Sequence, residues 1–343
     1  MILILNNLPL NNISNEMIGE LFIFVEKNYV KIFKDFDAVE EIPFPVLTIG
    51  TFDGVHLGHQ KIIKQLNDVA EKHGGESVLF TFYPHPRLVL FPESHGLKLI
   101  QTQEEKVAKL RRFGLKNIIA YPFTKEFSRI PPVEFVRDYL VNKLKVKTLV
   151  IGYDHHFGRN REGDINILKD LAPIYDFEVI EIGAKEVDEV NISSTKIREA
   201  LKMGDIELAN IYLGEPFEIN GKVIHGQKLG TELGFPTANI DIESDIKIIP
   251  KNGVYAAKVD LPDGEQRFAL LSIGNRPTIN DSGELSIEVY LINFEGNLYG
   301  KYLRIRLLKY IRGDMKFDNT DDLINEMKKD EQTLHTWISD NNW

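Results

Sequence analysis

Ile49-Gly50-Thr51-Phe52-Asp53-Gly54-Val55-His56-Leu57-Gly58-His59 is the stretch on which the reading of this chain turns. Before it, Pro45-Val46-Leu47-Thr48-Ile49 has the composition of a short buried strand. After it, Ile62, Ile63, Leu66, Val69 and Ala70 recur at helical spacing until Gly74-Gly75 stops the pattern. A strand, a glycine-rich turn and a helix N-terminus together form an anion site, because free backbone N–H groups and the helix dipole both favour negative charge. Gly50, Gly54 and Gly58 let the backbone come close to a ligand where a Cβ would intrude. His56 and His59 then stand at the mouth of that site as donors to phosphate oxygens. Taken alone, His-x-x-His also reads as a metal site or as two surface histidines. Metal is disfavoured by the lack of a third ligand of the usual kind nearby in sequence and of an H-E-x-x-H arrangement.

Far downstream, Ile192-Ser193-Ser194-Thr195-Lys196-Ile197-Arg198 leads into a short helix through Leu201 that ends near Gly204. Ser194 or Thr195 reads either as an ordinary N-cap or as a phosphate donor, with Arg198 one helical turn in as a fixed cation. The first segment resembles the H-x-G-H signature of the nucleotidyltransferase superfamily. In its fuller form, Gly50-Thr51-Phe52-Asp53-Gly54-x-His56-x-Gly58-His59, it resembles the flavin-adenylylating branch, the bacterial bifunctional riboflavin kinase/FMN adenylyltransferases. The second segment matches that family's second motif, in the right order. The resemblance implies a nucleotide site made of Gly50, Thr51, Phe52, Asp53, Gly58, Ser194, Thr195 and Arg198, with His56, His59 and Arg198 catalytic.

Composition agrees with a globular enzyme. A chain of 343 residues is expected to form two domains, and 43% hydrophobic with 27% charged residues is ordinary for that class. The absence of cysteine excludes a disulfide scaffold and any thiol chemistry. A net charge of −10 argues against a nucleic-acid partner and requires positive charge and Mg²⁺ to be concentrated where ATP binds. No apolar run approaches the roughly 20 residues that span a membrane, and the N-terminus lacks a signal-peptide pattern, so a cytoplasmic location without membrane attachment is expected. Residues 1–27 fall outside the family frame and are read as an extension with no assigned role.

From Asn28 to about residue 205, strand-like and helical patterns alternate. A strand-like start at 28–33 is followed by strands at 45–49, 77–82, 117–121, 148–152 and 178–182, with helices after Thr102 and over Phe135 to Leu144. This rhythm predicts a parallel sheet covered on both faces, with ligands beyond the carboxyl ends of its strands. Two further strand-end loops fall there. Phe82-Tyr83-Pro84-His85-Pro86 reads as a stiff turn or, by the resemblance, as a flavin-side loop carrying Phe82 and Pro84. Tyr83 departs from the acidic residue common at that position. Gly152-Tyr153-Asp154-His155-His156-Phe157-Gly158 implies, again by resemblance, that Asp154 accepts hydrogen bonds from the isoalloxazine edge and Phe157 packs its ring. His155 and His156 point apart on extended chain and are not read as a metal pair.

After a linker at 206–216 the pattern changes to short alternating strands at 217–224, 253–259, 268–273, 285–292 and 302–308, with Asp263-Gly264 as a hairpin turn and a final amphipathic helix. A closed antiparallel barrel over 217–343 is expected, and this half resembles the riboflavin kinase module. The chain has no Walker A loop. Instead Gly226, Gly230 and Gly234 suggest a flexible backbone cradle with Lys228 as a charge partner. Thr237 and Asn239 alternate on one face as neutral oxygens that suit Mg²⁺. Taken alone, Pro236-Thr237-Ala238-Asn239 reads as a turn and Glu288 as a solvated strand residue. The resemblance makes Glu288 the base for the ribityl 5′-hydroxyl, and Arg312 a flavin-site residue that neutralises phosphate charge from a mobile loop.

The expected fold is therefore α/β followed by β: a Rossmann-like nucleotidyltransferase domain at 28–205 with a parallel sheet, then an antiparallel riboflavin-kinase barrel with a terminal helix. The expected function is phosphorylation of riboflavin to FMN by ATP, then adenylylation of FMN to FAD with release of pyrophosphate. Two rivals stand beside it. One is a flavin-responsive binding protein without turnover, against which the intact motif residues argue. The other is nucleotidyl transfer to a non-flavin acceptor, which the loops at 82–87 and 152–158 disfavour.

Overall fold

The computed structural model describes residues 30–92, 96–153, 155–183, 192–226, 230, 233–276 and 284–341. Two compact units emerge. One contains the described residues before Glu189 except His56–Gly58 and Gly96–Thr102, and these two segments group with the residues from Val190 onward.

The first unit is a six-stranded parallel sheet. Its strands are β1 (Lys31–Phe33), β2 (Val46–Ile49), β3 (Ser77–Tyr83), β4 (Asn117–Pro122), β5 (Thr148–Gly152) and β6 (Glu178–Ile182), in the order β1-β4-β3-β2-β5-β6. The main helices are α1 (Leu57–Lys72), α2 (Pro86–Leu90), α3 (Gln103–Arg112), α4 (Phe135–Lys143, wound with π-helical spacing) and α5 (Ile165–Tyr175). β2, β3 and β5 are almost wholly buried, as strands covered on both faces must be. The apolar stripe of α1 supplies Ile63, Leu66, Val69 and Ala70 to one face of the sheet. Phe135, Val136 and Leu140 of α4 and Leu168 and Leu171 of α5 fill the other. From β2 the chain steps first to β3 on one side and later to β5 on the other. The carboxyl end of β2 is therefore a topological switch point, where open α/β sheets bind ligands.

The second unit holds a closed barrel of β7 (Phe217–Ile224), β8 (Thr237–Asp241), β9 (Gly253–Asp260), β10 (Gln266–Arg276), β11 (Glu284–Leu291) and β12 (Tyr302–Arg312), in the order β10-β11-β8-β7-β12-β9. Five of these strands lie where the alternation put them. β8 is a sixth, in a stretch whose Pro-Thr-Ala-Asn string also reads as a turn. It pairs antiparallel with β11, Asn239 opposite Glu288 and Thr237 opposite Tyr290. The C-terminal helix, Thr320–Asp340, is capped by Asn319, whose side chain accepts from Asp322 N–H.

The residues 206–216, read from sequence as a linker, are largely helical over Ile206–Leu213. Asp205 caps it through Leu208 N–H, and Gly214 ends it with φ 70°, the left-handed conformation that suits glycine. Ile197, Ala200 and Leu201 of the preceding helix (Ser194–Met203), with Ile206, Ala209 and Leu213, are buried in one cluster with the barrel residues Phe217, Ile219 and Leu307. These are α6 (Ser194–Met203), α7 (Ile206–Leu213) and α8 (Thr320–Asp340). Burial at about 25 cal/mol per Å² of apolar surface ties α6 and α7 to the barrel core.

Candidate active sites

The loop after β2 is a tight turn. Phe52 (φ 50°), Gly54 (φ 88°) and Val55 (φ 40°) all take positive φ, which is rare for a β-branched residue and marks local strain. Val55 N–H donates to Phe52 O at 3.3 Å, and the Gln60 carboxamide donates to Val55 O at 2.9 Å. Gly50 is required by this turn, since a Cβ there would lie 2.8 Å from the Phe52 ring. The Phe52 ring is buried and stacks on His59 at 4.4 Å and 22°. Phe52 therefore orients His59 from beneath and offers no open ring to a nucleotide. His56 and Asp53 are buried too, and His56 precedes the first turn of α1.

Sequence reasoning missed what lies under this loop. Lys106 and Lys109, one turn apart on α3, are buried. Lys106 Nζ donates to Thr51 O at 3.3 Å and to Thr81 Oγ1 at 3.5 Å, and Lys109 Nζ donates to Gly54 O at 3.1 Å. Burial pushes the Lys106 ammonium down to about 8, against the pull of Asp53. Two lysines beside the apolar positions Val107 and Leu110 are the only local trace of this arrangement.

In the second motif the cap is Ser193, whose hydroxyl accepts from Lys196 N–H at 3.3 Å; Ser194 and Thr195 open the helix instead. Arg198 Nε donates to Lys98 O at 2.9 Å, which fixes the guanidinium one turn into α6. In the loop after β3, the half-buried Phe82 meets Phe80, Phe123 and Phe127 at 5.2–5.6 Å, and Pro84 is exposed. Phe157 is only 6% exposed. Its ring packs on Phe135 at 5.8 Å and its backbone pairs with Gly163. It packs into the core of the first unit beside its loop. Asp154 and Lys228 lie outside the described residues.

The barrel brings its predicted residues together more closely. Thr237 Oγ1 donates to Glu288 Oε2 at 2.9 Å, and Ser286 Oγ, which was not singled out from sequence, donates to Glu288 Oε1 at 3.1 Å. Asn239 is buried directly across from Glu288. A Cβ on Gly226 would run into the Asn239 carboxamide, 2.6 Å from its Cγ, and one on Gly230 would strike the Phe235 carbonyl and approach Thr237 Oγ1 to 3.3 Å. Both glycines thus bring backbone against the Thr237–Asn239–Glu288 cluster. Gly234 takes φ 84°, a turn conformation. This hydroxyl, carboxamide and carboxylate set has the hard oxygens that Mg²⁺ prefers, and among the described residues no cluster of three or more His, Cys, Asp or Glu offers another kind of metal site.

Arg312 departs from expectation. It ends β12 and is held by α8. Its guanidinium forms a two-pronged pair with the buried Asp330 at 2.8–3.2 Å, lies 3.8 Å from Glu326, and donates to Gly313 O. The strand ladder and the buried carboxylate hold it against α8, so it ends a strand rather than lying in a loop.

Comparison with known proteins matches each half separately. The FAD synthetase family matches residues 40–196 and the riboflavin kinase family residues 213–338. The bifunctional riboflavin kinase/FMN adenylyltransferase of Listeria monocytogenes is 40% identical over 296 residues, covering 86% of this chain and 92% of the relative. That of Escherichia coli K12 is 35% identical over 294 residues, covering 85% and 92%. A crystal structure described as a macrolide-efflux protein from Streptococcus pneumoniae superposes with a TM-score of 0.80 at 30% identity, covering 90% of this chain and 99% of that one. Among the described residues no helix is long and apolar enough to cross a membrane.

Proposed function

The chain belongs to the bifunctional riboflavin kinase/FMN adenylyltransferase family of ATP-dependent FAD synthesis, and from that membership we propose which residues carry each step. The kinase module is residues 217–343 and the adenylyltransferase module residues 28–205, joined through 206–216. In the first step the ribityl 5′-hydroxyl of riboflavin attacks the γ-phosphorus of ATP, giving FMN and ADP, and Glu288 takes the hydroxyl proton. The observation that carries this reading is the Glu288 carboxylate set between the Thr237 and Ser286 hydroxyls. Both hydroxyls donate to it, which aims the carboxylate while Thr237 Oγ1 keeps lone pairs for a cation.

Thr237 and Asn239 are the residues that would hold Mg²⁺, and the bound ion would offset the charge on the ATP phosphates. Gly226, Gly230 and Gly234 line the same place with backbone, and Lys228 is the proposed charge partner. Positioning and charge stabilisation supply most of the catalysis in such transfers.

In the second step a phosphate oxygen of FMN attacks the α-phosphorus of a second ATP, and pyrophosphate leaves. FMN brings its own nucleophile, so no covalent enzyme intermediate is required. His56, His59 and Arg198 stabilise charge on the phosphoryl oxygens, while Gly58, Ser194, Thr195 and the backbone of the loop from Gly50 to Asp53 are the proposed nucleotide-binding groups. Asp154, Phe82 and Pro84 are the proposed flavin side. The position of the loop at the switch point of the sheet supports this assignment. The small-molecule substrates, the acidic composition and the absence of cysteine support a cytoplasmic enzyme that works without nucleic-acid or membrane partners. Incubation with riboflavin and Mg·ATP, with FMN and FAD resolved by chromatography, tests the proposal: FMN should appear first and FAD after it, and the absence of either product would reject it.

A further inference from the structure

We propose that Lys106 and Lys109 are positioning residues for adenylyl transfer, whose ammonium groups hold the peptide planes at Thr51 and Gly54 and so the loop carrying His56 and His59. The inference rests on the reading of that loop as the adenylyl-transfer site, and neither lysine is assigned contact with substrate.

Lysines are rarely buried this deeply, because removing an ammonium from water is unfavourable unless something answers it. Here α3 delivers two of them, 8% and 2% exposed, to one short turn. Their targets are specific. Thr51 and Gly54 are the residues immediately before Phe52 and Val55, the two non-glycine residues of the turn with positive φ. In a trans peptide the C=O and N–H point in opposite directions. Holding Thr51 O toward Lys106 therefore turns Phe52 N–H away from it, and Lys109 sets the plane before Val55 in the same way.

Strained conformations persist only where the surroundings over-determine them, and each lysine clamps one of the two strained links. Neutral groups already serve the same turn: the Thr81 hydroxyl reaches Thr51 O at 3.5 Å and the Gln60 carboxamide reaches Val55 O. Hydrogen bonding alone therefore calls for no charge. What a lysine adds is a fixed positive potential below a loop whose ligands are polyanions, in an acidic protein. Asp53, buried in the same turn, is the charge facing Lys106.

The test uses full-length K106M and K109M, with K106Q and K109Q as partners that keep an N–H donor without the charge. FMN adenylylation and riboflavin phosphorylation are measured on the same preparations, with the melting temperature of each. The expected result is a loss of about 10- to 100-fold in kcat for adenylylation, a KM for FMN within about twofold of wild type, and unchanged phosphorylation. The glutamine variants should recover part of the loss. Wild-type adenylylation kinetics in both methionine variants would overturn the proposal. So would an equal fall of both reactions in the Met and Gln variants with a lowered melting temperature, which would make the lysines folding staples. A wild-type protein that forms no FAD from FMN and Mg·ATP would instead reject the site reading itself.

Discussion

Lys106 offers a prediction that separates its effect on stability from its effect on activity. Its ammonium falls from 10.5 to about 8 because burial disfavours the charged form. At 1.36 kcal/mol per tenfold change, that drop corresponds to about 3 kcal/mol. The unfolded chain holds this proton up to pH 10.5, whereas the folded chain releases it near 8. Below pH 8 the folded protein carries the full penalty of a buried ammonium. Between about pH 8 and 10.5 the unfolded state binds more protons, so folding stability contributed by this group rises with pH. K106M removes the titration. Its stability relative to wild type should be most favourable at pH 7 and should fall by about 3 kcal/mol by pH 10.5, whatever constant offset the lost contacts to Thr51 and Thr81 introduce. Paired urea unfolding curves followed by circular dichroism at pH 7, 8, 9 and 10.5 measure the difference. Parallel pH dependences for the two proteins would refute the reasoning, because they would mean that Lys106 is not forced to carry its charge in a dry site.

Three further outcomes follow from the geometry. G226A should lower riboflavin phosphorylation by about tenfold or more while the protein stays folded, because the new Cβ displaces the Asn239 carboxamide, the end of a side chain that is able to move; unchanged kinase kinetics would remove Asn239 from the site. Excess EDTA should stop formation of both FMN and FAD, and added Mg²⁺ should restore both; full turnover in chelator would end the metal role of Thr237 and Asn239. R312M should lower stability by about 3 kcal/mol by leaving the Asp330 carboxylate buried without its guanidinium, with the KM for riboflavin unchanged; a large KM change at constant stability would return Arg312 to the flavin site.

How far the sequence carried depended on whether the signal was periodic. β3 and β5 announced themselves as runs of buried β-formers, and β7 was legible to the residue from alternation. β8 also alternates, with Thr237 and Asn239 on one side, but it is five residues long and follows a proline, so it also read as a turn. Ile206–Leu213 was lost in the same way: eight residues, bounded by Asp205 and Gly214, give too few helical repeats to rise above a connecting segment. The candidate motifs were legible because phosphate chemistry needs particular residues close together in the chain. The supporting groups were not. Lys106 meets Thr51 across 55 positions and Arg312 meets Asp330 across 18, and no local pattern distinguishes a lysine or arginine drawn into the protein from one left in water. Phe52 and Phe157 are the converse case: both lie within motifs and both are buried and packed, on His59 and Phe135, which residue type alone does not reveal.

The central claim is that one chain carries two separable sites, and matched single substitutions test it most directly. H59A should slow adenylylation by about 10²–10³ through loss of one charge-stabilising donor, so that riboflavin and Mg·ATP yield FMN that accumulates. E288Q should slow phosphorylation by about 10²–10⁴ through loss of the base, while FMN supplied directly still becomes FAD at the wild-type rate. Chromatographic product analysis of both variants, each confirmed as folded, reads the four rates side by side. Loss of both reactions on either single substitution would contradict two independent sites and require one composite centre.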